Sequence, residues 1–414
     1  MGKSIIVVGG GIVGVCNALS LQRAGHSVTL IDRKAPGRET SYGNAGVLSE
    51  SSVMVLNNPS MLRALPRLLA GRSLGLRYSL SFVLKNLGWF IKFLSYCTPR
   101  HARTAGRALR DLQLSSLAQH KAWIAEAGVG HLVRHAAWVK AFRSEASYAK
   151  YSTELALLDE MGVNYTIYDR EQIRQMEPGL KPVYAKAVVM DDTCGVSSPA
   201  NLTDAYVGLF EAAGGTVMMG DVSALEQDAA GWKVTVDGSA KGADHVIIAA
   251  GPWSSEVAGW LGYRIPLAWE RGYHLHLKPG DGPQLGRAIC DMDGGFAIVP
   301  TLQGVRITSG VEIAERDAPK NPAQIIGSVA SAREAHDMKE VIEDEPWMGR
   351  RPTLVDSLPM IGPAPRHPGL WFNFGHQHLG LSMAPGSALS ITAMIDNQPA
   401  PFDATPFRPT RFAI

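Results

Sequence analysis

Three glycines and one aspartate, all within the first 32 residues, have the types and the spacing that suit a phosphate-linked ligand. Gly9 permits a tight turn, Gly11 lets a pyrophosphate approach the backbone, and Gly14 allows close packing of a helix against a strand. Asp32 can accept hydrogen bonds from a ribose diol, and its charge disfavours a 2′-phosphate. Together these residues predict a site for an ADP-containing dinucleotide.

The residues around the glycines predict the elements that position them. The apolar run 5–8 is typical of a buried strand, and the stretch 12–24 is typical of a helix that Gly25 ends. A second apolar run, 28–31, predicts a strand that ends at Asp32. Phosphates bind at a helix N-terminus because its free N–H groups point outward. An ordinary glycine-rich turn is the alternative, and the register of strand, helix and acid argues against it.

Length and composition exclude several classes of protein. The 414 residues predict two domains, and 46% hydrophobic with 19% charged residues is a globular composition. A net charge of +2 does not suit nucleic-acid binding. The cysteines lack the spacing of a zinc site or a disulfide framework; they are Cys16, Cys97, Cys194 and Cys290. The first strand begins too near Met1 for a leader, and no uncharged apolar run is long enough to span a bilayer, so we expect a cytoplasmic protein.

One segment has an uneven distribution of charge. Residues 51–110 contain ten Lys and Arg residues and no Asp or Glu. Between Leu80 and Leu94, apolar residues recur at steps of three and four, which predicts an amphipathic helix. One interpretation is a helix packed on the core with a solvated basic face. The other is an interfacial helix that rests on anionic lipid at the inner face of the cell membrane.

The pattern along the chain predicts an α/β fold in which one domain interrupts the other. Strand and helix patterns alternate through 199–251, and the pattern changes to strands of a mixed or antiparallel sheet between 263 and 315. We assign 1–60, 190–260 and 346–414 to a dinucleotide-binding domain. The remaining segments, 61–189 and 261–345, form an inserted α+β substrate domain with a basic helical segment at 61–110.

Short motifs occur from the N-terminus to the last third of the chain. They are the glycine motif with Asp32, TSYGNAG at 40–46, IAAGPWS at 248–254, RGY at 271–273, GRRP at 349–352, GHQHLG at 375–380 and APG at 384–386. In type and order they resemble the D-amino acid oxidase and glycine oxidase superfamily of flavoproteins, and above all its D-amino acid dehydrogenase branch. The resemblance covers nearly the whole chain. It implies a Rossmann-like FAD-binding domain built from separated segments, with FAD held non-covalently.

The resemblance implies FAD contacts from four parts of the chain. These are the glycine motif and first acid (Gly9, Gly11, Ile12, Val13, Gly14, Asp32, Arg33), the loop Thr40, Ser41, Asn44, Ala45 and Gly46, the adenine-side Val222 with Ala250, Gly251 and Trp253, and the late loop Gly380, Leu381, Ser382 and Met383. We expect a helix to start near Met383 or Ala384. Its N-terminal end would stabilise negative charge on the reduced flavin.

The resemblance also implies a small amino or imino acid as substrate. Arg351 matches the family's carboxylate-binding arginine, and a guanidinium suits a carboxylate because it binds bidentately and stays charged. Arg350 should point elsewhere because neighbouring residues of a strand alternate faces. Tyr273 matches a tyrosine near the carboxylate, and a half-buried sheet aromatic is the alternative. His376 follows the family's glycine and is expected near the isoalloxazine.

Two histidine pairs, His274 with His276 and His376 with His378, have a spacing that could chelate a metal. No carboxylate or cysteine accompanies them at ligand spacing in the sequence. We therefore expect no metal.

The reaction implied by the resemblance is oxidation of a C–N bond. The Cα hydrogen of the neutral amine would pass as hydride to flavin N5, and the imine would hydrolyse to a 2-oxo acid and ammonia or persist as a cyclic imine. We predict an FAD-dependent D-amino acid dehydrogenase-like enzyme, with D-hydroxyproline as one example of a cyclic substrate. The alternatives are an oxidase that uses oxygen, an opine-type secondary amine dehydrogenase, and a flavin-bound subunit that is inactive without partners. An interfacial basic helix would favour a membrane quinone as electron acceptor.

Overall fold

The computed structural model describes residues 2–69, 75–134, 136 and 138–414. Of the basic residues counted above, Arg72 and the side chain of Arg67 lie outside this part. The α-helices are α1 (Ile12–Arg23), α2 (Pro59–Leu69), α3 (Leu80–Lys85), α4 (Leu87–Ser95), α5 (Pro99–Glu126), α6 (Glu145–Ala149), α7 (Ser152–Glu160), α8 (Arg170–Met176), α9 (Pro199–Ala212), α10 (Ser254–Gly259), α11 (Ala323–Ala335) and α12 (Gly380–Ile395).

The strands follow the same chain order. They are β1 (Ser4–Val8), β2 (Ser27–Asp32), β3 (Val47–Leu48), β4 (Leu76–Tyr78), β5 (Val133–Arg134), β6 (Trp138–Phe142), β7 (Tyr165–Asp169), β8 (Lys186–Met190), β9 (Cys194–Val196), β10 (Thr216–Met219), β11 (Val222–Asp228), β12 (Gly231–Val236), β13 (Ser239–Ala243), β14 (His245–Ile248), β15 (Leu267–Pro279), β16 (Ala288–Asp291), β17 (Phe296–Thr301), β18 (Gly304–Thr308), β19 (Val311–Ile313), β20 (Met338–Val341), β21 (Trp347–Leu354), β22 (Met360–Pro363) and β23 (Leu370–Phe374).

The N-terminal βαβ unit forms the centre of a largely parallel sheet. In the described chain the strand order of this sheet is β10-β2-β1-β14-β23-β22, and only β22 pairs antiparallel. Ile5 and Val7 pack with α1 and α12 on one face, whereas Ile6 and Val8 pack with β12 and β23 on the other. Both faces are therefore covered, as parallel strands require. The predicted α/β class is confirmed.

The second large sheet is mixed and carries the strands predicted between 263 and 315. Within the described residues it is 11-stranded, and β15 pairs antiparallel with β18, β19, β20 and β21. Tyr273, Leu275 and Leu277 of β15 enter an apolar core with α8 and α11. Because side chains of a strand alternate, Gly272 and His274 face the opposite side. β21 belongs to this sheet, although its residues follow the predicted boundary at 346. The domain boundaries stay a prediction.

Some helices differ from those expected. The predicted amphipathic helix between Leu80 and Leu94 is divided into α3 and α4 at Asn86, whose side-chain amide donates to Phe82 O at 2.9 Å. Such a bond satisfies a carbonyl locally and competes with continuation of the helix. Residues 145–160 also form two short helices, α6 and α7. Among the described residues, no helix combines the length and the apolar character that a bilayer crossing needs.

Candidate functional site

A cleft of about 860 Å³ lies between the carboxyl edge of the parallel sheet and one face of the mixed sheet. Ligands of open α/β sheets bind outside the carboxyl ends of the strands, and small-molecule sites are roughly 300–1,000 Å³. The expected site residues that line the cleft are Gly9, Gly11, Ile12, Val13, Asp32, Arg33, Thr40, Ser41, Asn44, Ala45, Val222, Ala250, Gly251, Trp253, Tyr273, Arg351, His376, Gly380, Leu381 and Ser382. Gly14, Gly46 and Met383 are not in this lining.

The glycine motif forms the tight entry into α1. Gly9 has φ +111°, and a Cβ on Gly14 would lie 1.7 Å from Gly9 O, so the helix packs directly on the turn. A Cβ on Gly11 would meet only Ser41 Oγ, at 3.3 Å, and would otherwise point into open space. The first turn of α1 contains no acidic residue. The positive dipole end of α1 faces the cleft, and the nearest carboxylate there, Asp32, belongs to β2.

Asp32 is oriented by the backbone at the end of β2. Its Oδ2 accepts from Gly10 N at 2.6 Å, and its Oδ1 accepts from Lys34 N at 3.0 Å. A carboxylate accepts more than two hydrogen bonds, so Asp32 retains capacity for a ribose diol. The next side chain, Arg33, lies 3.9 Å over the Trp253 ring. This contact places two of the expected cofactor residues side by side.

The loop 40–46 connects the dinucleotide end to the mixed sheet. Thr40 Oγ1 donates to Arg350 O at 2.9 Å, and Asn44 Nδ2 donates to His378 O at 3.2 Å. Arg306 donates to Asn44 O at 2.7 Å. Gly46 has φ +70°, and a Cβ there would lie 2.1 Å from Val196 O, so Gly46 shapes the loop from behind the lining.

The late glycine loop leads into α12, which starts at Gly380 and not near Met383 as expected. Gly380, Leu381 and Ser382 line the cleft, whereas Met383 is fully buried in the core. Ser382 Oγ donates to Val47 O at 2.8 Å, and His120 Nε2 donates to Leu381 O at 2.8 Å. The first turn of the helix is therefore fixed, and its N-terminal end points to the cleft.

Arg351 reaches the cleft across Gly272, where any Cβ would lie 2.3 Å from the guanidinium. Among the described residues its guanidinium makes one long hydrogen bond, to Gly310 O at 3.4 Å, and forms no ion pair with a carboxylate. Burial lowers its pKa, and the charge of Glu270 opposes that effect. Oε1 of Glu270 accepts from Thr353 Oγ1 at 2.6 Å, and Oε2 has no hydrogen-bond partner among the described residues. The guanidinium thus remains available to an anionic ligand.

The neighbouring Arg350 points to a different environment. Its Nε donates to Arg316 O at 2.8 Å, its Nη2 pairs with Asp317 at 3.2 Å, and it lies 5.7 Å from the Trp253 ring centre. Strand alternation thus separates the two arginines.

Tyr273 lines the cleft but directs its hydroxyl away from Arg351, so its contact with a substrate carboxylate stays a prediction. The hydroxyl donates to Glu312 at 2.5 Å and accepts from Arg271 at 2.9 Å and from Asn321 N at 3.0 Å. The ring belongs to the apolar core behind the sheet. Odd-numbered residues of β15 face that core, and Tyr273 is fully buried there and not half-buried as the alternative had it.

Two histidines lie beside the start of α12. His376 is buried, its Nε2 has no hydrogen-bond partner among the described residues, and burial lowers its pKa to about 3. The ring of His378 is surrounded by protein but open to the cleft, and burial together with Arg351 and Lys140 lowers its pKa to about 4. Both rings are neutral at physiological pH. A neutral pair suits a site for a hydrophobic, polarisable ring system.

The other histidine pair does have a carboxylate beside it, contrary to the premise of the metal prediction. Ligand atoms of His274, His276 and Glu343 all lie within 4.8 Å of one another. However, His276 Nε2 accepts from Arg306 Nε at 3.0 Å, and its Nδ1 donates to Glu343. A metal on Nδ1 would force the proton onto Nε2, opposite the Arg306 donor. Arg306, His276 and Glu343 therefore form a hydrogen-bonded chain.

Some residues line the cleft although the sequence did not predict that they would. They are Lys140, Cys290, Trp347 and His378. Lys140 lies in an alternating segment, 138–142, where a lysine is expected to face solvent. Only the pairing of β6 with β16 turns it toward the cleft, and no local pattern indicates that pairing.

The chain matches a family model described as FAD dependent oxidoreductase over residues 4–394. It is 32% identical over 426 residues to a D-amino acid dehydrogenase of Sinorhizobium medicae, with 99% of each chain covered. It is 30% identical over 420 residues to a D-amino-acid oxidase of Bradyrhizobium diazoefficiens, again covering 99% of each. Among solved structures it resembles the glycine oxidase of Geobacillus kaustophilus, with a TM-score of 0.75 and 20% identity over 100% of both chains.

The geometry and the comparisons agree on the cofactor. Backbone N–H groups and an aspartate lie at one end of the cleft, whereas an available guanidinium and neutral histidines lie toward the other. This arrangement fits an extended dinucleotide with a reactive ring next to a small anionic ligand. The fold combines a Rossmann-like sheet with a mixed sheet and is similar as a whole to that of the glycine oxidase. The chain therefore belongs to the FAD dependent oxidoreductase family, and FAD is its cofactor.

Proposed function

We propose that this enzyme oxidises the C–N bond of a D-amino acid or of a cyclic imino acid such as D-hydroxyproline, with FAD held non-covalently. The observation that carries the proposal is the guanidinium of Arg351, which faces the cleft without a carboxylate partner among the described residues. The relatives named D-amino acid dehydrogenase and D-amino-acid oxidase support the substrate class. FAD, when bound, accepts the Cα hydrogen as hydride at N5.

The protein's residues supply orientation and electrostatics. Arg351 holds the substrate carboxylate, which fixes the Cα–H bond against the ring. The positive end of α12, at Gly380, stabilises charge on the reduced cofactor. The amine loses a hydride from Cα and a proton from nitrogen, and the resulting imine either hydrolyses to a 2-oxo acid and ammonia or persists when cyclic.

An anaerobic panel of amino acids tests this proposal. The purified protein should be yellow and should release intact FAD on denaturation. D-amino acids or cyclic D-imino acids should bleach the bound flavin, and the matching L-enantiomers should not. Recovery of bound NAD, flavin that stays on the precipitated chain, or a preference for L-enantiomers would overturn the proposal.

A second proposal concerns the electron acceptor. The side chains of Leu80, Leu84, Leu87 and Ile91 are 63%, 63%, 50% and 61% exposed, at helical spacing. Lys85 and Lys92 are exposed in the same segment, and Trp89 anchors it by donating to Pro266 O at 2.9 Å. An exposed apolar stripe among basic residues suits anionic lipid. We propose that the enzyme is cytoplasmic and binds peripherally to the inner face of the cell membrane, with a membrane quinone as acceptor.

Flotation with anionic and neutral liposomes at low and high salt tests this second proposal. Each basic residue near an anionic surface contributes about 1 kcal/mol, so Lys85→Glu with Lys92→Glu should abolish salt-sensitive binding. Lys121→Glu with Lys241→Glu makes the same change in net charge elsewhere and should leave binding intact. Absence of binding to anionic vesicles at low salt would overturn the membrane proposal and leave oxygen or a soluble carrier as acceptor.

A further inference from the structure

The charges that line the cleft are segregated along its length. Its acidic lining residues, Asp32, Glu39, Asp221 and Glu256, belong to the dinucleotide end. There Glu39 pairs with Arg33 at 3.2 Å, and Glu256 pairs with Arg316 at 2.9 Å. Among the described lining residues, the part of the cleft around His378 contains two cations, Arg351 and Lys140, and no carboxylate. The proposed function assigns Arg351 to the substrate carboxylate and gives no role to Lys140.

Lys140 is turned into the cleft by the mixed sheet. It lies opposite Cys290 in the register of β6 and β16, and that row continues through Ala297 and Thr308 to His274. Val139 and Ala141, its neighbours on β6, enter the core on the opposite face. Lys140 therefore shares the cleft face of the sheet.

The ammonium of Lys140 contacts a tyrosine and forms no ion pair with a carboxylate of the described residues. Its Nζ donates to Tyr151 Oη at 2.6 Å and lies 5.2 Å from the centre of that ring. Glu154 acts only from farther away, and its Oε1 accepts from Ser60 at 2.6 Å. Although burial acts to lower it, contacts with Tyr151, Cys290 and Glu154 raise the pKa of Lys140, so the side chain stays protonated. A buried ammonium is costly unless an anion accompanies it.

Arg351, Lys140 and His378 line the same cleft. His378 lies within electrostatic range of both Arg351 and Lys140, and its ring is open to the cleft. We propose that Lys140 binds a second carboxylate of the substrate, so that the enzyme acts on D-amino acids with an acidic side chain. This inference rests on the proposed function, because Arg351 must hold the α-carboxylate. Lys140 is a specificity-determining residue in this account.

A binding measurement tests the second anion site without turnover. Flavin difference spectra would compare glutarate, a five-carbon dicarboxylate, with pentanoate, the monocarboxylate of equal length. The wild-type holoenzyme should bind glutarate at least about 10-fold more tightly, since a partly buried ion pair contributes that much. Lys140→Met should remove the preference, and Lys140→Arg should keep most of it. Lys186→Met, on neighbouring β8, should leave it unchanged.

Turnover gives the second measurement. For wild type, kcat/KM for D-glutamate or D-aspartate should exceed that for D-glutamine, and Lys140→Met should lower the D-glutamate value by about 30-fold or more while changing D-glutamine by less than about threefold. Lys140→Glu should shift the preference to D-lysine.

The outcomes separate this inference from the proposed function. Equal affinity for glutarate and pentanoate in wild type overturns the inference, as does an equal loss for both ligands in Lys140→Met, which would place Lys140 against the flavin or in the fold. If glutarate is preferred through Lys140 but no amino acid reduces the flavin, the proposed function fails and the second anion site stands.

Discussion

Replacement of Arg351 by alanine should remove catalysis while the cofactor stays bound. The guanidinium lies over Gly272 in the substrate part of the cleft, far along the chain from the glycine motif. No acid of the described residues forms an ion pair with it, and Glu270 keeps its hydrogen bond from Thr353 at 2.6 Å. The substitution therefore breaks no ion pair, although the buried Glu270 carboxylate loses the nearby positive charge that lowers its pKa. We expect FAD content and folding to be close to wild type.

The size of the loss follows from the desolvated ion pair. Truncation of one partner of a buried, hydrogen-bonded charge pair costs about 2–5 kcal/mol. At about 1.4 kcal/mol for each factor of ten, kcat/KM should fall roughly 30-fold to several thousand-fold. Because Arg351 retains access to the cleft, we expect the middle of this range, a few hundred-fold. The assay is anaerobic flavin reduction in a stopped-flow instrument over a range of substrate concentrations.

Arg350→Ala is the matched control. This neighbour is engaged by Arg316 O and Asp317, so its removal should change kcat/KM by less than about fivefold. The reasoning is refuted if Arg351→Ala stays within about threefold of wild type, or if the two variants exchange phenotypes.

Three further predictions concern the cofactor site and pH. Gly11→Val should abolish FAD binding but preserve the melting temperature of the apoprotein, because its Cβ meets only Ser41 Oγ. Gly14→Val should fail to fold, since its Cβ would lie 1.7 Å from Gly9 O, and equal loss of folding in both variants would contradict this reasoning. Asp32→Ala should weaken FAD without abolishing binding, measured by fluorescence titration of apoprotein; unchanged affinity would exclude a ribose contact. Burial holds the pKa of His120 at about 4, below the ordinary 6.5, so its stabilising contribution is lost as pH falls below 6.5. Between pH 7 and pH 5, the unfolding free energy of wild type should fall by about 2 kcal/mol more than that of His120→Gln in urea titrations. An equal fall in both proteins would show that the pKa of His120 is not lowered by burial.

The sequence predicted the elements whose signals are local. The strand, glycine turn and helix over 5–24 were recognisable because the hydrophobic period and the glycines agree. The strand alternation that separates Arg350 from Arg351 needs only two adjacent positions. The class of fold and the cofactor followed from motifs distributed over the chain.

Features that depend on tertiary pairing were not predictable. The hydroxyl of Tyr273 donates a hydrogen bond to Glu312, which is 39 residues away and lies on β19. Lys140 faces the cleft only because β6 pairs with β16, and Glu343 reaches His276 from beyond β20. The helix is divided at Asn86 because the side chain of Asn86 donates a hydrogen bond to Phe82 O, and such a bond competes with continuation of the helix.

The most direct test of the central claim uses a D-amino acid deuterated at Cα. The account predicts that one substrate reduces one bound FAD under anaerobic conditions, that one 2-oxo acid or cyclic imine forms per flavin, and that the reduction is slower with deuterium because the Cα–H bond breaks in that step. Arg351→Ala should retain this isotope effect on a much slower reduction. A flavin that stays oxidised with every amino or imino acid tested would contradict the account.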